Sequence, residues 1–420
     1  MTLLETIKAS DFQPDAAPRP LDEATLSAAD SIVSGVREGG REALIEYAKR
    51  FDGHVDGQPL LLDRDALEAA KARLNADDLA LLERVADRVR KFAQAQLDAL
   101  SELKMDVPGG KAGHSIVPVQ RAGCYAPAGR YALPSTVIMT VVPAVVAGCG
   151  QVILATPGTS DLMLAAAAVA GADRVLGVGG AQAVAALAYG FDGLERCDVI
   201  VGPGNRWVTA AKKIVSGDCG IDMLAGPSEL VLVADESSDP ATVAADLLAQ
   251  AEHDEDARAF LVTTDRDLIQ KVVAELEQQL EVLPTAETAR VALGNGAAVL
   301  CDSVEQVIAT CNALAPEHLE LHCNDSQAVA NEIVNAGCLF IGHQSAEVFG
   351  DYGVGPNHTL PTAGTARFSA GLNVFTFVRV RTWLKLDAAA PQSLVDDTAR
   401  LAELEGLIGH QRSALKRKKS

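Results

Sequence analysis

The stretch "QVILATPGTSDLMLAAAAVAGADRVLGVGGAQAVAALAYG", Gln151–Gly190, decides the fold. It opens on a short apolar run, "QVILATPG", that reads as a strand. The alanine-rich "LMLAAAAVAGA" then reads as a helix, apolar all round and therefore buried. "DRVLGVGG" is a second strand ending in glycines, and "AQAVAALAYG" a second helix. Strand, helix, strand, helix, with little polar surface on any of them, is the pattern of a parallel sheet covered on both faces.

The alternation continues outward on both sides. Upstream, "SIVPVQRAGCYAP" (115–127) reads as strand and turn, and "STVIMTVVPAVVAGC" (135–149) as a buried helix. Downstream, "CDVIVGPGN" (197–205) is a strand ending in a Gly-rich turn. A second series follows: the strands "SELVLVAD", "RAFLVTTD", "AAVLCD" and "CLFIG", separated by helices at Ala241–Glu252, Arg266–Leu280 and Ser303–Leu314. These predict an α/β chain with two Rossmann-like, doubly wound units. Residues 1 to about 22 are polar and Pro-rich and read as an arm. From Glu23 to about Leu103 the period is helical, as in "DDLALLERVADRVRKFAQAQLDAL". From about Thr382 the chain reads as amphipathic helix without a sheet partner, a tail of the kind that packs on a partner subunit.

Composition sets the class. With 420 residues, two or more domains are expected. A net charge of −20 argues against nucleic acid or an anionic membrane as partner. The basic end, Leu415–Ser420, reads as a solvated tail. The eight cysteines form no CxxC pair, which suits reduced thiols. Glu5 and Lys8 interrupt what would be the apolar part of a signal peptide, and the most apolar run, Val137–Gly150, contains a proline and is shorter than the ~20 residues of a membrane span. A soluble cytoplasmic protein is expected.

Several segments can carry chemistry. The turns "YAPAGR" (125–130), "GVGGAQ" (177–182) and "GPGNRW" (202–207) follow consecutive strands. Glycines there let a backbone approach a ligand, and the next helix N-terminus favours an anion. None is a complete GxGxxG; Gln182 and Asn205 are the polar residues best placed to contact such a ligand. In "DMLAGPSELVLVAD", Ser228 and Glu229 lie just before a strand, where Gly-Pro-Ser is ordinarily a turn. Glu317–His318 in "APEHLELHC" juxtaposes a carboxylate and an imidazole, whose unperturbed pKa values differ by about two units and so suit general acid and base roles; read alone, the stretch favours a solvated Glu beside a core-edge His. His318 and His322 would share a strand face but stand too far apart to chelate easily. "GDYGVGPNHTLPT" (350–362) has no helix or strand period and holds Asp351, Tyr352, Asn357 and His358, as a functional loop would. Gln250 and His253 are neighbours on one helical face, an amide beside an imidazole at the end of an apolar helix. Glu405 and His410 fall in the helical tail, where a lone surface His is unremarkable.

Taken together, "GPGNRWVTAAKK", "DMLAGPSELVLVAD", "QAEHD", "APEHLEL", "GDYGVGPNHTLPT", "ARFSAGLNVFTF" and "EGLIGH" resemble the histidinol dehydrogenase family, in order from about residue 121 to 410. The resemblance implies a homodimer with a domain-swapped C-terminal tail, one zinc ion per subunit, and a four-electron oxidation of L-histidinol to L-histidine by two NAD⁺. It implies zinc ligands at Gln250, His253, Asp351 and, from the partner subunit, His410. It implies catalysis by Glu317 and His318, and substrate contacts at Ser228, His358 and Glu405 together with His318 and the zinc ligands. The nicotinamide cofactor would meet Tyr125, Gln182 and Asn205. The domains implied are an arm (1–22), a first Rossmann-like domain with the zinc and catalytic residues (23–120 with 228–380), an NAD-binding domain (121–227) and the tail (381–420).

The sequence departs from the family pattern at Ala128, where Gly is usual, and at Leu224 and Ala346, where Pro is usual. His322 and His343 match no functional position. Three alternatives compete: a relative of the same fold oxidising another small alcohol such as a sulfonated propanediol, a zinc hydrolase using Glu317 as base, and a non-catalytic zinc protein. The Gly-rich strand ends disfavour the second and the Glu317–His318 pair the third.

Overall fold

A computed structural model describes residues 3–14, 21–128, 132–387 and 391–417. Each of the two expected strand series forms its own six-stranded sheet. In the first sheet the order is Thr6–Lys8, Ala297–Leu300, Arg258–Thr263, Glu229–Ala234, His318–His322, Cys338–Ile341, all parallel. The second runs Leu61–Leu62, Arg174–Leu176, Gln151–Ala155, Arg121–Tyr125, Val199–Val201, Gly220–Ile221, parallel except for its first strand.

Each sheet buries both faces, as its uninterrupted apolar strands require. On the first, Leu232 and Leu261 point to the helices Pro240–Ala251 and Arg266–Leu280, while Val231, Leu319 and Leu321 point to the opposite layer. Alternation therefore puts His318, Glu320 and His322 together on the side of the helix Pro240–Ala251. This leaves three polar side chains in a row inside the protein, and both sites described below are built on that row.

Three expected boundaries are corrected. The N-terminal arm, expected as a small helical one, contributes a strand instead: Thr6–Lys8 forms the edge strand beside Ala297–Leu300, and Leu3 and Leu4 enter the core; residues 1, 2 and 15–20 lie outside the described residues. Residues 23–98 do not join 228–380. Glu23–Phe51 packs on the helices Gly180–Tyr189 and Arg206–Val215, Arg64–Arg73 on Asp161–Ala170, and Ala76–Asp98 on Pro134–Val146. The apolar stripe Ala29, Val33, Val36, Leu44, Ala48 completes the core of the second sheet, so these helices belong to that unit. Finally, Thr382 lies inside a strand. Val378–Leu386 pairs antiparallel with Gly110–Pro118, which pairs with Leu103–Val107, giving a small third sheet. The alternation of Val378, Val380, Thr382, Leu384 and Leu386 with Arg379, Arg381, Trp383 and Lys385 carries that strand's period. The helices Gln392–Leu404 and Ile408–Leu415 follow it. No helix among the described residues is long and apolar enough to cross a membrane.

Candidate active site

A cleft of about 1320 Å³ is lined by residues of both units. One wall is the carboxyl edge of the second sheet. Its strands Arg121–Tyr125 and Val199–Val201 are neighbours from which the chain proceeds outward in opposite directions, through Gln151–Ala155 on one side and Gly220–Ile221 on the other. Such a switch point leaves a crevice in which α/β proteins bind ligands. Pro203, Gly204, Asn205 and Arg206 line the cleft there. Gly202 has φ of 114°, and a Cβ on it would meet the Tyr125 carbonyl oxygen at 2.1 Å, so only glycine fits. Beneath the turn the Lys212 ammonium, 1% exposed, donates to the Gly202 carbonyl at 2.9 Å and pairs with the buried Asp222.

Asn205 caps the helix Arg206–Val215, its Oδ1 accepting from the backbone N–H of Trp207 (3.1 Å) and Val208 (3.3 Å). Tyr125 and Gln182 are buried and not among the cleft-lining residues. The Tyr125 hydroxyl accepts from the Gly180 N–H at 3.1 Å, and the Gln182 amide donates to Asp52 Oδ2 at 3.0 Å. Of the three residues expected at the cofactor, Asn205 alone faces the cleft. Gly129 and Arg130, which end the first Gly-rich turn, lie outside the described residues.

The opposite wall is the amino edge of the first sheet. Ser228 and Glu317 immediately precede two neighbouring strands, so their side chains meet across 89 positions of sequence. Glu317 Oε2 accepts from Ser228 Oγ at 2.7 Å and from the Glu229 N–H at 3.1 Å. Burial pushes the Glu317 carboxyl well above its usual pKa, and these two donors oppose the shift. His318, 3% exposed, leans on the Phe340 ring at 6.0 Å. Its Nδ1 lies 3.5 Å from Glu347 Oε1 and 3.8 Å from Glu317 Oε2, yet neither ring nitrogen makes a hydrogen bond among the described residues. Burial pulls its pKa down to about 3, so the imidazole is neutral.

Gln250 closes the helix Pro240–Ala251, and His253 follows it. The Gln250 amide lies against Glu347, its nitrogen donating to the two carboxylate oxygens at 3.1 and 3.2 Å. His253 Nε2 is 3.6 Å from Asp351 Oδ2 and 3.9 Å from Glu347 Oε1. One ligand atom from each of His253, Glu347 and Asp351 falls within 4.8 Å of the others. Asp351 is raised to about 6 by burial, against the pull of His253. Glu347 is raised well above the carboxylate range by burial and by the nearby Asp351, Glu320 and Glu317. A carboxylate cluster this buried accommodates a dication naturally, since a bound cation reverses both shifts. His358 donates from Nδ1 to the Asp351 carbonyl at 3.0 Å, and its Nε2 meets the Thr136 hydroxyl of the other wall at 3.3 Å. Burial lowers it to about 4.

The structure thus brings together Ser228, Gln250, His253, Glu317, His318, Asp351 and His358. It does not bring Glu405 and His410 to the cleft of their own chain; both are exposed on the tail. The reading by sequence missed Glu347. Its signal was present: it stands four residues before Asp351 on the helix Glu347–Asp351, hence on the same face.

The histidinol dehydrogenase profile matches residues 18–418. The chain belongs to the histidinol dehydrogenase family. It is 44% identical over 391 residues to the histidinol dehydrogenase of Methylococcus capsulatus, covering 91% of this chain and 89% of that one. It is 42% identical over 391 residues to that of Pseudomonas savastanoi pv. phaseolicola, covering 91% and 87%. The histidinol dehydrogenase crystal structure from Elizabethkingia anophelis superposes with a TM-score of 0.91 at 32% identity, over 99% of this chain and 98% of that one. Membership makes the chain an NAD-dependent oxidoreductase, and the alternative small-alcohol dehydrogenase is not favoured.

Proposed function

We propose that this chain oxidises L-histidinol through L-histidinaldehyde to L-histidine in the cytoplasm, using two NAD⁺ and one zinc ion at the cleft of each subunit. The observation that carries the reading is the pairing of a neutral, buried His318, with no hydrogen bond on either nitrogen among the described residues, with Glu317, across a cleft from a switch-point crevice.

The fit for zinc rests on His253, Asp351 and Glu347, whose donor atoms already converge. The Gln250 amide, whose nitrogen donates to Glu347, adds a neutral oxygen donor beside them. Gln250, His253 and Asp351 would hold the ion, with His410 of the partner subunit completing the set, and a zinc ion there would supply a Lewis acid to orient the substrate's amine and imidazole. The nicotinamide cofactor, when bound against Asn205, supplies the hydride acceptor for both oxidations, with Tyr125 and Gln182 supporting its site.

His318 takes the alcohol proton in the first oxidation. A proton gained there is met by the Glu317 and Glu347 carboxylates, 3.8 and 3.5 Å from Nδ1. Glu317 then activates the water that adds to the aldehyde. Ser228 and the Glu229 N–H stabilise its ionised form and fix its direction. His358 and Glu405 contact the substrate, and holding the aldehyde in place between the two steps keeps it from escaping.

Counting NADH per L-histidinol consumed by the zinc-loaded protein tests this reading. Two are expected. No turnover of histidinol would instead favour the dehydrogenase of another alcohol.

The homodimer is supported by apolar side chains left exposed on the tail, Leu401, Leu404, Leu407 and Ile408, and on the third sheet, Val380 and Leu384. Mixing inactive His318→Asn and inactive His410→Ala subunits by unfolding and refolding should restore activity. A shared site predicts about one quarter of the wild-type value, since half the dimers are mixed and each has one intact site. No recovery would place His410 in its own chain's site or outside any site.

A further inference from the structure

The first sheet has a switch point of its own, at the edge opposite the cleft. From the neighbouring strands Glu229–Ala234 and His318–His322 the chain moves outward through Arg258–Thr263 on one side and Cys338–Ile341 on the other. At the carboxyl ends of these strands lies a cavity of about 430 Å³, lined by Ser237, Asp239, Asp246, His322 and His343 among others. In doubly wound sheets this is where ligands bind, and the proposed oxidation uses none of it.

His322 ends its strand, and Glu320 lies two residues back on the same face. Asp246 stands across from them on the helix Pro240–Ala251, one turn before Gln250. His322 Nε2 is 3.7 Å from Glu320 Oε2 and 3.9 Å from Asp246 Oδ2, and the three atoms lie within 4.8 Å of one another. Each of the three is buried and has no hydrogen-bond partner among the described residues. Glu320 is 0% exposed and His322 2%. Buried polar atoms are almost always satisfied; three unsatisfied atoms converging on one point share a missing partner.

We propose that Asp246, Glu320 and His322 form a second divalent-cation site, of the zinc class, distinct from the cluster at the cleft. Tetrahedral zinc with bonds of about 2.0–2.1 Å puts its ligand atoms about 3.4 Å apart, so 3.7 and 3.9 Å need shifts of only a few tenths of an ångström. One imidazole and two carboxylates suit zinc or manganese, and their two negative charges balance a dication in a buried place. Asp246 and His322 line the cavity, which provides the entry path and room for a fourth ligand. A water can fill it, or His343, whose ring lies 5.9 Å from that of His322. Glu320 is already anchored, its other oxygen accepting from the Glu347 N–H. A cation here therefore also steadies the start of the helix that carries Asp351. Protonation of the carboxylates is the competing account, since burial raises Glu320 to about 8 and Asp246 to about 6. It leaves unexplained why no hydrogen bond joins the three groups.

The test is metal content by mass spectrometry on the full-length protein, dialysed against buffered free zinc. Wild type is expected to hold two equivalents per chain, His322→Ala one, and the cleft variant His253→Ala one. One equivalent in wild type, kept in His322→Ala and lost in His253→Ala, would overturn the proposal, as would two equivalents that survive in both His322→Ala and Asp246→Asn. One equivalent lost in His322→Ala and kept in His253→Ala would uphold this site and remove the one at the cleft. If the variants fail to fold, zinc titration of metal-stripped wild type with and without L-histidinol decides: two classes of site support the proposal, and a single equivalent whose affinity histidinol alters, hence at the cleft, overturns it.

Discussion

Replacing His318 by Asn is expected to lower kcat for L-histidinol by about 10²–10⁴-fold, the range for loss of a positioned general base, while the protein keeps its fold and its zinc. The imidazole is buried, but neither of its nitrogens makes a hydrogen bond among the described residues, so the substitution breaks none there. What is lost is a proton acceptor held beside Glu317 and Glu347. Stopped-flow or steady-state NADH formation measures the rate; circular dichroism and metal content report fold and zinc. A rate equal to wild type would remove His318 as the base. Glu317→Gln separates the two oxidations. It keeps an acceptor for the Ser228 hydroxyl but cannot take a proton from water, so NADH per histidinol should fall from two toward one.

Replacing Lys212 by Met is expected to cost about 3–5 kcal/mol, the range for removing one member of a buried ion pair. The ammonium is enclosed, 1% exposed, and pairs with an equally enclosed Asp222. Asp222 keeps its backbone donors, the N–H groups of Gly202 and Met223, both at 2.7 Å, but loses the ammonium that pairs with it. Lys212 also holds the Gly202 carbonyl, so the turn leading to Asn205 loses its support. Denaturant unfolding should show the loss, and NAD⁺ affinity should fall more than histidinol affinity. A double variant, Lys212→Met with Asp222→Leu, should recover part of the stability, not all, because two backbone N–H groups then lack their acceptor. Unchanged stability in Lys212→Met would mean that water reaches the pair.

Much of the frame could be read along the chain. Short apolar runs alternating with alanine-rich helices are local signals, and they located both parallel sheets and the Gly-rich turns at the cleft. The helices of residues 23–98 were equally legible as helices, yet their partner was not. An apolar stripe such as Ala29, Val33 and Val36 states that a face is buried without stating against what. The strand Val378–Leu386 was overlooked for the opposite reason. Its alternation is clear, but it lies on a small exposed sheet, where charged residues mask the apolar ones.

At the site, residue type and spacing singled out Glu317–His318, Gln250 with His253, and the loop holding Asp351 and His358, and the ordered motifs carried the family. The sequence alone could do this because each group is a local pattern of neighbouring residues. Only the tertiary structure decided that Ser228 grips Glu317, that Glu347 joins His253 and Asp351, and that Tyr125 and Gln182 turn inward while Asn205 faces the cleft. It alone set the row His318, Glu320, His322 against Asp246 and Gln250 of the helix and His253 just beyond it, which turns Asp246, Glu320 and His322, three positions without an assigned role, into one end of a polar seam. These contacts depend on which strand lies beside which and on how the crossover helices return. Strand order leaves no periodic trace in the chain, because the pleat dictates which face a residue occupies and only the packing of whole elements dictates what stands opposite.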